Sequence, residues 1–158
     1  MTWTAPRTWV AGETVTAAIM NTHIRDNSNM LSDPWAAYTV SWTSSGTNPS
    51  LGNGTITGAQ LVVGKWVRFR IFLDYGSTTN GGTGTWQFTL PANSVVGRGS
   101  LGTAVCYDGS VLYPRLVFQN GTGTLVVSDM TPTRIGPTNP FSWNSSSELN
   151  IIGDYEAA

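Results

Sequence analysis

The sequence predicts a mainly β protein: a jelly-roll-like antiparallel β-sandwich preceded by an extended arm and one short α-helix. Three observations carry this. Only residues 8–27, TWVAGETVTAAIMNTHIRDN, show helical spacing of apolar positions. After Trp35 the chain breaks into short runs rich in Val, Ile, Thr and aromatics, separated by Gly/Ser/Asn/Pro clusters such as SSGTNPSLGNG, GSTTNGGTG and PTRIGPTNP. At 158 residues the chain is long enough for one sandwich core and an appendage.

The arm covers residues 1–12. Pro6 and the Thr-rich surroundings disfavour helix there, and so short a segment cannot bury Trp3 and Trp9 by itself, so both indoles are expected to lie on another surface. The helix follows. Thr16 is placed as its N-cap, with Glu13 near the positive end of the helix dipole. Ala17, Met20, Ile24, Asn27 and Leu31 recur at spacings of three and four and form one narrow stripe, and Asp33-Pro34 is expected to end the helix. About 15 residues of helix are marginal without packing. The stripe either lies on the chain's own body or joins sister chains, with Asn27 then setting the register.

Eight strands are expected at 38–44, 55–62, 66–74, 84–90, 101–107, 111–119, 123–130 and 148–153. The clearest is 66–74, where Val67, Phe69, Ile71 and Leu73 alternate with Trp66, Arg68, Arg70 and Phe72. The first set is core. The second interleaves aromatics with Arg, which fits a subunit contact, a sheet-covering loop, or Arg stems lying over exposed rings. Trp86 alternates with Phe88 and Leu90 in the next strand, and with Trp66 it is a candidate for stacking on sugar rings, as are Tyr107 and Tyr113. Pro114 marks an edge strand or a bulge.

Composition narrows function. Charged residues make up 11% of the chain, the net charge is −1, and the basic residues form no stripe, so nucleic acid is not expected as a partner. No apolar run approaches 18 residues, so no membrane partner is expected, and the N-terminus lacks the pattern of a secretory signal, so synthesis and folding in a cytoplasm are expected. One cysteine and one histidine, Cys106 and His23, exclude an internal disulfide and give no metal cluster. Cys106 sits in an apolar strand and His23 in the helix, no Gly-x-Ser-x-Gly elbow occurs, and no cofactor motif is present. A carboxylate pair among the nine acidic residues is the one enzymatic opening left. The expectation is a protein without catalytic or cofactor residues.

The opening stretch TWTAPRTWVAGETVTAAIMNTHIRDN resembles a module at the N-terminus of virion structural proteins of tailed bacteriophages, especially those of actinobacterial hosts. Trp3, Pro6, Arg7, Trp9, Gly12, Thr16, Ala17, Met20, Asn21, His23, Arg25, Asp26 and Asn27 carry the likeness, which continues through VGKWVRFRI at 63–71 and GDYEAA at 153–158. Such proteins are fibres, minor tail components or capsid decorations, commonly threefold, with a β-rich outer head. The resemblance implies a non-enzymatic homotrimer on the virion surface, a capsid decoration or head fibre. The alternative is a tail-fibre or tail-tip protein that binds carbohydrate. Residues 1–33 then attach the chain to itself and to major capsid or tail proteins through Trp3, Pro6, Trp9, Ala17, Met20, His23, Ile24, Asn27 and Leu31. Residues 36–158 form the head, with Trp66, Arg68, Arg70, Phe72 and Trp86 as a subunit-contact face or a face for host-surface glycan.

Overall fold

The computed structural model describes residues 4–32, 35–95, 99–131 and 133–158. A helical rod of 13 residues leads, made of α1 (Ala17–Met20), a π-helical turn (Asn21–Arg25) and α2 (Asp26–Asn29). Nine strands follow: β1 (Ala36–Tyr38), β2 (Trp42–Ser44), β3 (Thr55–Val63), β4 (Trp66–Asp74), β5 (Trp86–Thr89), β6 (Ser100–Tyr107), β7 (Leu112–Gln119), β8 (Thr124–Ser128) and β9 (Glu148–Glu156). The protein is mainly β, as its periodicity predicts.

The strands join in one antiparallel sheet of order β1-β3-β4-β9-β6-β7-β8-β5-β2. Its two edge strands are neighbours in the sequence. Thr39, Val40 and Ser41 carry the chain from one edge to the other, so the sheet curls on itself and the predicted single strand 38–44 becomes two short ones around a corner. The corner is fastened to β5: Ser41 N–H donates to Thr89 Oγ1 (2.8 Å), and Thr89 N–H donates to the Ser41 carbonyl (3.1 Å).

The curl encloses the core. On β4, Val67, Phe69, Ile71 and Leu73 are wholly buried, opposite Tyr155, Gly153, Ile151 and Leu149 of β9. Facing them are Trp86 and Phe88 of β5, Leu125 and Val127 of β8, Val117 of β7, and Ala104 and Cys106 of β6. Each large side chain removed from water in this way contributes about 1.5–3 kcal/mol. A chain of rings runs through one end. The centres of Trp42 and Trp86 are 4.8 Å apart, Trp86 and Trp143 4.8 Å, Trp143 and Phe141 4.7 Å, and Phe141 and Tyr113 5.1 Å. The indole N–H groups of Trp86 and Trp143 donate to the carbonyls of Gly81 (2.7 Å) and Gly136 (3.0 Å), so these rings are buried without orphaned donors. Three of the seven Trp therefore serve the chain's own core, which accounts for part of the aromatic excess without any subunit contact.

Pro114 sits where β7 lacks a neighbour on one side. The β7–β8 ladder covers only Leu116–Gln119, so the strand is locally an edge at the proline. The bulge of the β6–β7 pair lies elsewhere, between Ser100 and Gly102.

Candidate functional site

Two surfaces gather the residues singled out by the sequence. The first is the N-terminal segment. Thr16 caps the helix as its position predicts, its Oγ1 accepting the Ile19 N–H (3.3 Å). The π-helical turn then changes the phase, because Asp26 N–H reaches back to the Asn21 carbonyl five residues away. One extra residue per turn rotates everything beyond it. Beyond the turn Asn27 and Met30 are buried; Ile19 and His23 are half-buried, and the predicted stripe faces outward: Ala17 is exposed, Met20 42%, Ile24 45% and Leu31 71% exposed.

Asn27 leaves the stripe for a local reason. Its Oδ1 accepts the Thr4 N–H (3.1 Å), and its Nδ2 donates to the Thr4 carbonyl (2.8 Å) and the His23 carbonyl (3.3 Å). The amide clasps the arm of its own chain. Along the arm, Arg7 forms an ion pair with Glu13, and its guanidinium lies 5.2 Å from the Trp9 ring centre. Pro6 and Trp9 are exposed, and Trp3 lies outside the described residues. The helix gives way after Asn29 to a turn in which Ser32 Oγ donates to the Asn29 carbonyl (3.0 Å), before the predicted stop at Asp33-Pro34, which lies outside the described residues.

The second surface is the outer face of the sheet. Antiparallel register places Trp66 opposite Glu156, Arg68 opposite Asp154, Arg70 opposite Ile152 and Phe72 opposite Asn150, and continues from Asn150 to Val105 on β6. Trp66 is 43% and Phe72 37% exposed. Trp66 Nε1 donates to Asp154 Oδ2 (3.2 Å). Trp35, from the link between helix and lobe, lies against the two arginines, its ring centre 4.9 Å from the Arg70 guanidinium carbon and 6.0 Å from that of Arg68. Part of the interleaved aromatic and Arg pattern is thus answered by a covering residue of the same chain. Two depressions flank Asn150, one of about 380 Å³ lined by Thr57, Ala59, Arg70 and Phe72, the other of about 400 Å³ lined by Val105, Tyr107, Leu112 and Glu148.

Trp86 does not belong to this face. It is fully buried on the inner side of β5, which removes it from the candidate glycan surface. Alternation along 86–90 gives two faces but does not tell which one is inside. Tyr113 likewise points inward, against Phe141, while Tyr107 lies on the outer face and its hydroxyl donates to the Gly109 carbonyl (2.7 Å).

Comparison with known proteins gives a relative among phage proteins. The chain is similar to a protein of Haemophilus influenzae described as a Mu-like prophage FluMu defective tail fiber protein, with 31% identity over 125 residues. That likeness covers 77% of this chain and 20% of the relative, so the chain spans about a fifth of that protein's length. No protein-family model matches the chain, and no solved structure does.

The reactive side chains are disposed for structure. Burial pushes the Cys106 thiol up to about 12, only partly opposed by Arg115. The Asp108 carboxylate is held below its ordinary value first by the Val111 N–H (2.8 Å) and then by the Ser110 N–H (2.9 Å), and it also accepts the Tyr113 hydroxyl. Asp129 is lowered first by the Thr131 hydroxyl. Both close turns at strand ends. Among the described residues no group of three His, Cys, Asp or Glu could hold a metal, and no helix is long and apolar enough to cross a membrane.

Trp35 and Asn150 were not singled out by the sequence. Asn150 acquires its position only from the pairing of three strands distant in the chain, which no local pattern reveals. Trp35 carries a signal, a bulky indole directly after Asp-Pro, where a link must lie on something.

Proposed function

We propose that this chain is a non-enzymatic structural component of a tailed-phage or prophage virion, built into the tail fibre. Residues 1–33 join it to sister chains in a homotrimer and to neighbouring tail proteins, and residues 36–158 form the exposed lobe. The observation that carries this reading is the contrast between the two parts. The lobe buries its own core, whereas six of the fifteen large apolar side chains exposed among the described residues fall between Trp9 and Leu31. An apolar stripe on a short helix is what an assembly contact requires. The likeness to a tail fiber protein supports a place on the tail, and it moves the head-decoration reading behind the tail-fibre one.

Purified particles separated into heads and tails, with the chain followed by mass spectrometry and by gold label in electron micrographs, test the proposal. The label is expected on tail fractions. A label confined to heads, or particles that lack the chain, would refute it.

A further inference from the structure

Arg68 and Arg70 stand two residues apart on the outer row of β4 and share one indole, Trp35. The ion pairs among the described residues, Arg7 with Glu13, Arg25 with Asp26 and Lys65 with Glu156, involve neither of them. Asp154, opposite Arg68, is turned toward the Trp66 indole N–H, and the residues opposite Arg70 are Ala59 and Ile152. Among the described residues, the outer face therefore carries two positive charges without a partner at salt-bridge distance, set against an aromatic plane.

Beside Arg70 lies the depression of about 380 Å³, with Thr57, Asn150 and Phe72 in its wall. That volume is at the small-molecule end of the range for ligand sites. Its chemistry is specific: a guanidinium fork for a carboxylate, a ring for the C–H face of a sugar, and a hydroxyl and an amide for sugar hydroxyls. A peptide fits less well. β3, β4 and β9 are paired over nine successive positions, so the backbone here has no free ladder for an added strand.

We infer that the face formed by Arg68, Arg70, Phe72, Asn150 and Trp35 binds an acidic saccharide, its carboxylate on Arg70 with Arg68 alongside and its ring on Phe72. This deepens the tail-fibre reading by naming the surface and the charge class that such a fibre would engage. It is tested on the purified full-length chain, so its outcome does not depend on where the chain sits in a particle.

The test is calorimetric titration with tri-galacturonate, its methyl ester, inorganic phosphate and tri-glutamate, followed by a panel of glucuronate- and sialate-containing oligosaccharides. At least one acidic saccharide is expected to bind, with binding weakened by added salt and by roughly tenfold or more on esterification or in Arg70→Gln. Arg70→Lys is expected to retain part of the affinity, and unchanged melting temperatures show that the variants are folded. Four results would overturn the inference: no binding across the panel, equal binding of phosphate, equal binding of tri-glutamate, or full affinity in Arg70→Gln. A fifth is an oligomer that Arg70→Gln dissociates, which would make this face a contact between copies.

Discussion

Phe69 of β4 lies over Gly153 of β9 so closely that a methyl group on the glycine would sit 3.0 Å from the ring's Cε1 and would also meet the Leu101 carbonyl oxygen. Gly153 is opposite both Phe69 and Gly102, at the bulge where β6 changes register. The ring fills space that a side chain would otherwise occupy, and the backbone of β6 approaches from the other side. Gly153→Ala is therefore expected to destabilise the lobe by about 1–3 kcal/mol, read by urea unfolding. Gly99→Ala is the control, since nothing lies within 4 Å of its added carbon, and its effect should stay within about 0.5 kcal/mol.

Trp86 and Trp66 separate core from surface. Trp86→Ala removes a wholly buried ring, its hydrogen bond to Gly81 and its contacts with Trp42 and Trp143, and should cost about 3–5 kcal/mol or prevent folding. Trp66→Ala gives up an exposed ring and a bond to Asp154 and should cost under about 1 kcal/mol. Intrinsic fluorescence during unfolding checks both, because the core rings Trp42 and Trp143 remain in each variant and shift when the core opens. Equal losses would show that Trp66 is part of the folded framework.

These two residues also show how far the sequence could be read. Strict alternation in 66–74 is decisive because the apolar set Val67, Phe69, Ile71 and Leu73 is purely aliphatic and aromatic while its opposite set carries three charges, Arg68, Arg70 and Asp74. In 86–89 the set opposite Trp86 and Phe88 is only Gln87 and Thr89, and the choice of inner face depends on pairing with β8 and β2. Strand existence was legible because turns and β-branched runs are local. Strand order was not, since β9 sits between β4 and β6 through contacts far apart in sequence. The helix stripe is legible as spacing, but the π-helical turn at Asn21–Arg25 is not, because no local residue type announces it.

Cys106 makes stability fall at alkaline pH. In the fold its thiol stays protonated up to about 12, whereas an unfolded thiol ionises near its ordinary 9.0. The folded value is the raised one, so the contribution is complete below about pH 9 and is lost as pH rises toward about 12. The slope approaches about 1.4 kcal/mol per pH unit for one such group. Tyr38 and Tyr155 are also raised, chiefly by burial, and act in the same sense. The thiol is isolated by subtraction: urea unfolding of wild type and Cys106→Ala between pH 8 and 10.5 should show a shallower decline in the variant. Parallel curves would contradict the assignment.

Removing the Asn27 clasp should free the arm without touching the lobe. Asn27→Ala deletes both bonds to Thr4, each worth about 0.5–1.5 kcal/mol in a partly buried setting. Amide exchange at Thr4 is expected to accelerate at least several-fold, and trypsin should cut sooner after Arg7. The unfolding midpoint of the lobe should not move. Asn27→Asp keeps the acceptor for the Thr4 N–H and loses the donor to the Thr4 carbonyl, so its exchange rate should fall between wild type and Ala.

The exposed helix stripe gives the most direct test of assembly. Met20 and Ile24 lie one turn apart with nearly half of each surface open to water, while the neighbouring side of the helix is occupied by Asn27 and Met30. Burying what remains open of two such side chains against a sister chain contributes about 0.7–1.5 kcal/mol each per subunit, enough to bias whether a short helix associates. In the double variant Met20→Glu, Ile24→Glu, association would have to bury two carboxylates without partners. Sedimentation velocity at micromolar concentration is expected to show an oligomer for wild type and a monomer for the variant, with identical melting of the lobe. Deleting residues 1–33 should have the same effect. An oligomer that survives both changes would place the contact between copies on the lobe, and a wild-type monomer would leave the stripe to a partner other than a second copy.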